Sequence, residues 1–177
     1  MIDNFKNLLT IIGANYLIFL IVLSAIIYFF RQDSTTKKQL AIFSLITLPM
    51  IYLIAQMARL FYFNPRPFVV GNFIPLIPHA PDNGFPSDHV LLSSSLAILI
   101  FYYNRRFGII LWISAVLVGI SRVLAGVHHP IDVIGGLIIP IIVSFPIHNS
   151  ILPYLTNKLT RGKQGLQSRS SNSSNKN

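Results

Sequence analysis

The sequence predicts an all-α integral membrane protein, an integral membrane helical bundle of about five transmembrane helices. Three observations point there. Only 11% of the 177 residues are charged and 53% are apolar, whereas a soluble domain carries roughly 25% charge. Long stretches contain no charged residue at all. Outside those stretches, the basic residues gather on alternate connections, the pattern that orients a multi-pass protein.

The first uncharged stretch, residues 8–30, is long enough to cross a hydrocarbon core of about 30 Å at about 1.5 Å per residue. A secretory signal is the rival reading. The run exceeds the usual apolar region of such a signal, and Asp3 against Lys6 gives no basic segment before it. A second span covers residues 40–63, interrupted by Pro49 and turning polar at Gln56 and Arg59. Residues 87–103, 107–127 and 131–147 supply three more. The membrane-embedded domain is therefore expected over residues 1–155. A basic tail, 156–177, rich in Ser, Asn and Lys from Gln164 on, is expected to be disordered.

Orientation follows from charge. Arg31, Lys37 and Lys38 lie between the first two spans, Arg105 and Arg106 between the third and fourth, and Lys158, Arg161, Lys163, Arg169 and Lys176 after the fifth. These connections are expected on the cytoplasmic side. Orientation thus explains most of the net charge of +9 and argues against nucleic acid as a partner. Glutamate is absent, which excludes helices clad in Glu–Lys pairs. Absent cysteine removes disulfides, thiolate metal sites and cysteine nucleophiles.

Apart from Lys6, three cations remain unexplained by orientation: Arg59, Arg66 and Arg122, all on the outer side. The first outer loop runs from Arg59 through Arg66 and His79 to Ser87, Asp88 and His89; the second holds Arg122, His128, His129 and Asp132. Several guanidinium groups on one face suit a phosphate, whose oxygens they match in pairs. Ser87 follows Pro86 and opens an apolar stretch, so it reads as an N-cap whose following N–H groups favour an anion. A serine that merely caps its helix is the alternative.

His128 and Asp132 are four residues apart, which on a helix puts them on one face. A carboxylate on one ring nitrogen fixes the tautomer and frees the other nitrogen as a nucleophile. Pro130 is compatible with a helix that starts there. An interfacial histidine beside a capping aspartate is the alternative. His89 is the candidate general acid for a departing group. His129 and His79 are read as surface residues, and His148, near the cytoplasmic end of the last span, as noncatalytic. His128, Asp132 and His89 could bind zinc, but the neighbouring arginines oppose a divalent cation, so no metal is assigned.

The spacing Arg59-x6-Arg66-Pro67, then Pro86-Ser87-Asp88-His89, then Ser121-Arg122-x5-His128-x3-Asp132 resembles the three-part signature of the type 2 phosphatidic acid phosphatase superfamily of membrane lipid phosphatases. The resemblance covers residues 40–147. It implies phosphate binding by Arg59, Arg66, Arg122, Ser87 and the backbone N–H of Asp88, with His128 as nucleophile, Asp132 as its orienting carboxylate and His89 as acid. No metal or other cofactor is implied. Arg59 stands where the family usually has lysine, and Asp88 where it commonly has glycine. Pro86-Ser87-Asp88-His89 resembles the branch that acts on undecaprenyl diphosphate at the outer face of the bacterial cytoplasmic membrane. The expected partners are therefore a lipid diphosphate or phosphate and the surrounding lipids. Phosphatidate or phosphatidylglycerophosphate is the alternative substrate, and a small anion transporter or a noncatalytic lipid-binding protein is the alternative class. Family members often show six spans, so residues 1–14 could form an additional interfacial helix.

Overall fold

A computed structural model of the chain describes residues 2–156. The tail expected to be disordered lies outside the described residues. Among the described residues there are seven α-helices: α1 (Ile2–Asn15), α2 (Leu17–Arg31), α3 (Ser34–Phe61), the single turn α4 (Pro67–Val70), α5 (Asp88–Phe101), α6 (Arg105–Leu124) and α7 (Pro130–Pro146). Past α7 the chain stays helical through a π-helical stretch, Ile147–Ile151, to Thr156. The architecture is all-helical, as the composition requires.

Each expected span appears as a helix, with two differences. The first is not one rod: α1 and α2 meet at Tyr16 with a bend of 42°. Neither proline nor glycine occupies the bend. Its cause is tertiary, because a Cβ on Gly13 would collide with the Ser121 side chain, so the end of α1 lies tight against α6. Ala14 is fully buried there, while α2 turns away to pack on α5 through Ile21. The second difference concerns α3, which starts six residues before the expected apolar span. Asp33 caps it, its carboxylate accepting the N–H groups of Thr35 and Thr36 at 2.8 and 3.1 Å. Hydrogen bonding by the Thr36 side chain, together with those backbone bonds, holds the Asp33 carboxyl below the usual carboxylate range. At 28 residues, α3 reaches about 42 Å, more than the thickness of the hydrocarbon core.

Among the described residues three helices, α3, α6 and the α7 extension, are long and apolar enough to cross a bilayer, and the bent α1–α2 pair, taken as one span, makes a fourth. The 14-residue α5 is shorter and sits at the centre. It is apolar or small on every side, as a helix enclosed by others must be. Its buried Ser94 hydroxyl bonds the Val90 and Gly136 carbonyls, each at 2.7 Å, and Ser95 bonds the Leu91 carbonyl at 2.6 Å, whereas the equally buried Ser93 hydroxyl has no partner among the described residues. On one side α5 packs with α3 and α7 around Phe43, Ile51, Leu99 and Val143; on the other with α2 and α6 around Ile21, Val90 and Val118. The outer faces present exposed Leu45, Leu53, Ile113 and Ile142. In water such a surface would aggregate; facing lipid it loses nothing.

The two ends of the bundle differ. At one, His148 stacks on Tyr102 at 3.9 Å with Phe43 beside it, next to the Arg31, Lys37, Lys38 and Arg105 connections. At the other, the two loops 62–87 and 125–129 close over the ends of α3, α5, α6 and α7, and every site residue singled out in the sequence lies there.

Candidate active site

Asp132 is the fixed point of this end. It is fully buried at the first turn of α7, and its two oxygens take three N–H donors: His128 Nδ1 at 3.3 Å and the His129 backbone at 2.8 Å on Oδ2, and Asn64 Nδ2 at 2.7 Å on Oδ1. The expected His128–Asp132 pair is therefore formed, but not along a helix face. His128 precedes the helix, which begins at Pro130, and a capping turn brings its ring onto the carboxylate. Gly84 makes room for this, since a Cβ there would lie 2.8 Å from Asp132 Oδ2.

The arrangement determines the tautomer of His128. Its Nε2 lies 3.3 Å from Nη1 of Arg66. A guanidinium can only donate, so Nε2 is the acceptor and the ring proton sits on Nδ1, facing Asp132. Burial lowers the pKa of His128; the bond to Asp132 opposes this, and Arg122 and Arg66 lower it further. The net depression keeps the ring neutral near neutral pH. A neutral imidazole with its Nε2 lone pair turned toward guanidinium groups is suited to attack phosphorus.

Arg66 is 4% exposed, with Nε on Asp82 at 2.6 Å and Nη1 on the Val127 carbonyl at 2.8 Å. Burial would raise the Asp82 pKa, but the bond and charge of Arg66 outweigh it and keep the carboxyl ionised. Arg122, 2% exposed, donates from Nη1 toward the Ala14 carbonyl at 3.5 Å, whereas its Nε and Nη2 have no protein partner. Ser87 stands at the N-cap of α5 and its N–H bonds the Asp132 carbonyl at 3.1 Å. Its hydroxyl is buried, makes no capping bond and has no protein partner. The capping-only reading of Ser87 is thereby corrected. Buried donors without acceptors are costly and uncommon. Arg122 is near enough to His128 to lower its pKa, and Ser87 is tied through its backbone to Asp132, so the oxygens of a phosphate at His128 would supply acceptors for them.

Arg59 and Asp88 form the rim. Arg59 Nη2 pairs with the Asp88 carboxylate and donates to the Pro86 carbonyl at 3.2 Å, while its buried Nε has no partner. His89, half-buried in the first turn of α5, has no hydrogen-bond partner among the described residues; its electrostatic neighbours include Arg122, His128, Asp88 and His79.

Two histidines expected on the surface are not there. His129 is half-buried, with Nε2 3.2 Å from the Pro65 carbonyl. His79 is half-buried with its ring edge-on to His128 at 6.1 Å. Burial lowers the His79 pKa, helped by Arg66 and Arg122. Both are drawn in by the fold of the 62–87 loop, pinned at Pro65 and Asn83 by an isolated bridge and at Leu76 by the Ala125 carbonyl at 3.0 Å. Sequence reading also passed over Asn64, Asp82 and Asn83. Asn83 accepts the N–H groups of Asn64 and Phe85, each at 3.0 Å, and so aims Asn64 at Asp132. The only signal was their place, as polar residues beside Arg66 and Pro86 in a loop that topology puts outside. Among the described residues, no cluster of His, Asp or Glu is arranged to hold a metal ion.

The fold and the site together define a membrane-type helical bundle with a buried histidine–carboxylate pair set among guanidinium and hydroxyl donors. The chain belongs to the PAP2 superfamily, whose pattern matches residues 13–153. It is 44% identical over 92 residues to undecaprenyl-diphosphatase BcrC of Bacillus subtilis (strain 168), a match covering 52% of this chain and 48% of that protein. It is 33% identical over 131 residues to the bacitracin transport permease protein BcrC of Bacillus licheniformis, covering 73% of this chain and 64% of that one. The chain thus spans between about half and just under two thirds of the length of these curated relatives. The crystal structure of Aquifex aeolicus LpxE shares the fold, with a TM-score of 0.56 and 24% identity over 81% of this chain and 82% of that one.

Proposed function

We propose that the protein is a metal-independent membrane lipid phosphatase that converts undecaprenyl diphosphate to undecaprenyl phosphate at the outer face of the bacterial cytoplasmic membrane. The observation that carries this reading is the Nδ1-protonated His128, held by Asp132 and facing Arg66, beside buried donors of Arg122 and Ser87 without partners. The PAP2 membership and the name of the Bacillus subtilis relative support the substrate class.

In this mechanism the terminal phosphate enters between Ser87, Arg122 and Arg66. Arg66 Nη1 moves from His128 Nε2 to a phosphate oxygen, which frees the lone pair. Nε2 attacks the terminal phosphorus, and the bond to the bridging oxygen breaks. Its electron pair leaves with the lipid monophosphate, which takes a proton from His89, a proton that the otherwise neutral His89 ring takes up only with the anionic diphosphate bound beside it. Asp132 stabilises the positive charge that develops on the His128 ring. His89, now neutral, accepts a proton from water as the water attacks the phosphohistidine, and inorganic phosphate departs with the Nε2 lone pair restored. Because the guanidinium groups neutralise the phosphate, the route needs no metal.

The purified protein is expected to release phosphate from lipid diphosphates in the presence of EDTA, with kcat/KM highest for the polyprenyl diphosphate. A clear preference for phosphatidate or phosphatidylglycerophosphate would replace the substrate while keeping the chemistry; activity lost in EDTA and restored by zinc or magnesium would refute the chemistry.

Orientation has its own test, supported by the alternate-loop charges. The chain contains no cysteine, so single reporters are unambiguous. In intact cells Ile74→Cys, on the loop beside the site, is expected to react with an impermeant thiol reagent, and Lys38→Cys, at the other end, is not. The reverse pattern places the site in the cytosol.

A further inference from the structure

The Asp88 side chain has no role in the chemistry above. It stands one residue from the proposed phosphate ligand Ser87, where a carboxylate repels the substrate unless something fixes it in place. That something is Arg59. The pair lies at the rim, with the Asp88 side chain 68% exposed and that of Arg59 22%. Arg66 and Arg122 act electrostatically on His128, whereas the partners of the Arg59 guanidinium are the Pro86 carbonyl and Asp88.

What lies beyond Asp88 gives the pair its meaning. Asp88, in the first turn of α5, is among the residues lining an open, mainly apolar cavity of about 300 Å³ between α3 and α5, together with Leu48, Ile51, Tyr52, Leu91 and Leu92. A lipid whose terminal phosphate sits against His128 must send its apolar chain toward such a surface. In a lipid diphosphate, the phosphate between the terminal one and the chain then comes to rest beside Arg59. That phosphate gains negative charge as the terminal one is transferred, so a guanidinium fixed there favours the transition state over bound substrate.

Resting on the phosphatase reading, we infer that Asp88 is a positioning residue for diphosphate specificity. It holds Arg59 beside the α3–α5 cavity, where Arg59 serves the leaving phosphate, and keeps it from joining the phosphate ligands around His128. Without the carboxylate, Arg59 can turn inward, helping a monophosphate and deserting the leaving group of a diphosphate.

The test compares full-length wild type with Asp88→Gly, Asp88→Asn and Asp88→Glu in detergent, using a polyprenyl diphosphate and the monophosphate of the same chain length. For Asp88→Gly and Asp88→Asn, kcat on the diphosphate is expected to fall with little change in KM. Their kcat/KM on the monophosphate is expected to rise, shrinking the ratio between the substrates by about fivefold, the scale of an exposed ion pair. Asp88→Glu, which can still reach Arg59, should restore most of the ratio. An equal fall on both substrates, or an unchanged ratio, overturns this role for Asp88. A wild type that shows no preference for the diphosphate overturns the proposed substrate itself, and this inference with it.

Discussion

His128→Ala is expected to reduce turnover of the lipid diphosphate by about 10⁴-fold or more, while His129→Ala retains most of it. The two rings are neighbours in sequence but not in environment. His128 is 3% exposed, directs Nδ1 to Asp132 and places Nε2 among the arginines. His129 turns the other way, and its ring rests on the Pro65 carbonyl. Removing the first deletes the atom that forms the bond to phosphorus, for which no adjacent group substitutes. Removing the second costs one loop contact, although its backbone N–H to Asp132 stays in place. Equal losses in the two variants, measured as phosphate release by protein of unchanged monodispersity, would mean that the nucleophile has been assigned wrongly.

Asp132→Asn is expected to lower kcat by about 10²- to 10⁴-fold. The carboxylate accepts from three N–H groups. An asparagine offers one acceptor oxygen and one donor group, so at least one of the three donors faces another donor. If the amide oxygen stays toward His128 and His129, the Asn64 amide must flip, and the tautomer of His128 survives without a negative charge to stabilise the imidazolium. If the amide nitrogen faces His128, the ring proton is driven to Nε2 and the nucleophilic lone pair is lost. Either outcome slows formation of the phosphohistidine. A variant that keeps wild-type kcat in burst measurements would show that Asp132 is a helix cap and no more.

Much of this site was readable because its signals are local. The His128–Asp132 pair spans four residues, Ser87 follows Pro86 directly, and the arginines stand out as cations where orientation gives no reason for them. The features missed depend on distant contacts. Asn64 meets Asp132 across 68 positions, and Arg66 meets His128 across 62. Nothing around Asn64 or His79 distinguishes a residue folded inward from one left in solvent. The helices followed the same division. Uncharged length located the main helices, although of the five expected spans α5 is only 14 residues long, and the α1–α2 bend at Tyr16 arises from the fit of Gly13 against Ser121, which no local pattern reveals. Asp33 was the opposite case, a capping residue in plain view that extends α3 beyond its apolar stretch.

Turnover by this route requires a covalent bond between phosphorus and His128, and that bond is directly observable. Protein mixed with polyprenyl diphosphate radiolabelled in its terminal phosphate, then quenched in alkali within one turnover, is expected to carry label that is stable to alkali and labile to acid. Peptide fragmentation should map it to His128, and the His128→Ala protein should remain unlabelled. Label on His89 or His79, or turnover by wild type that passes through no phosphoprotein at all, would contradict the account.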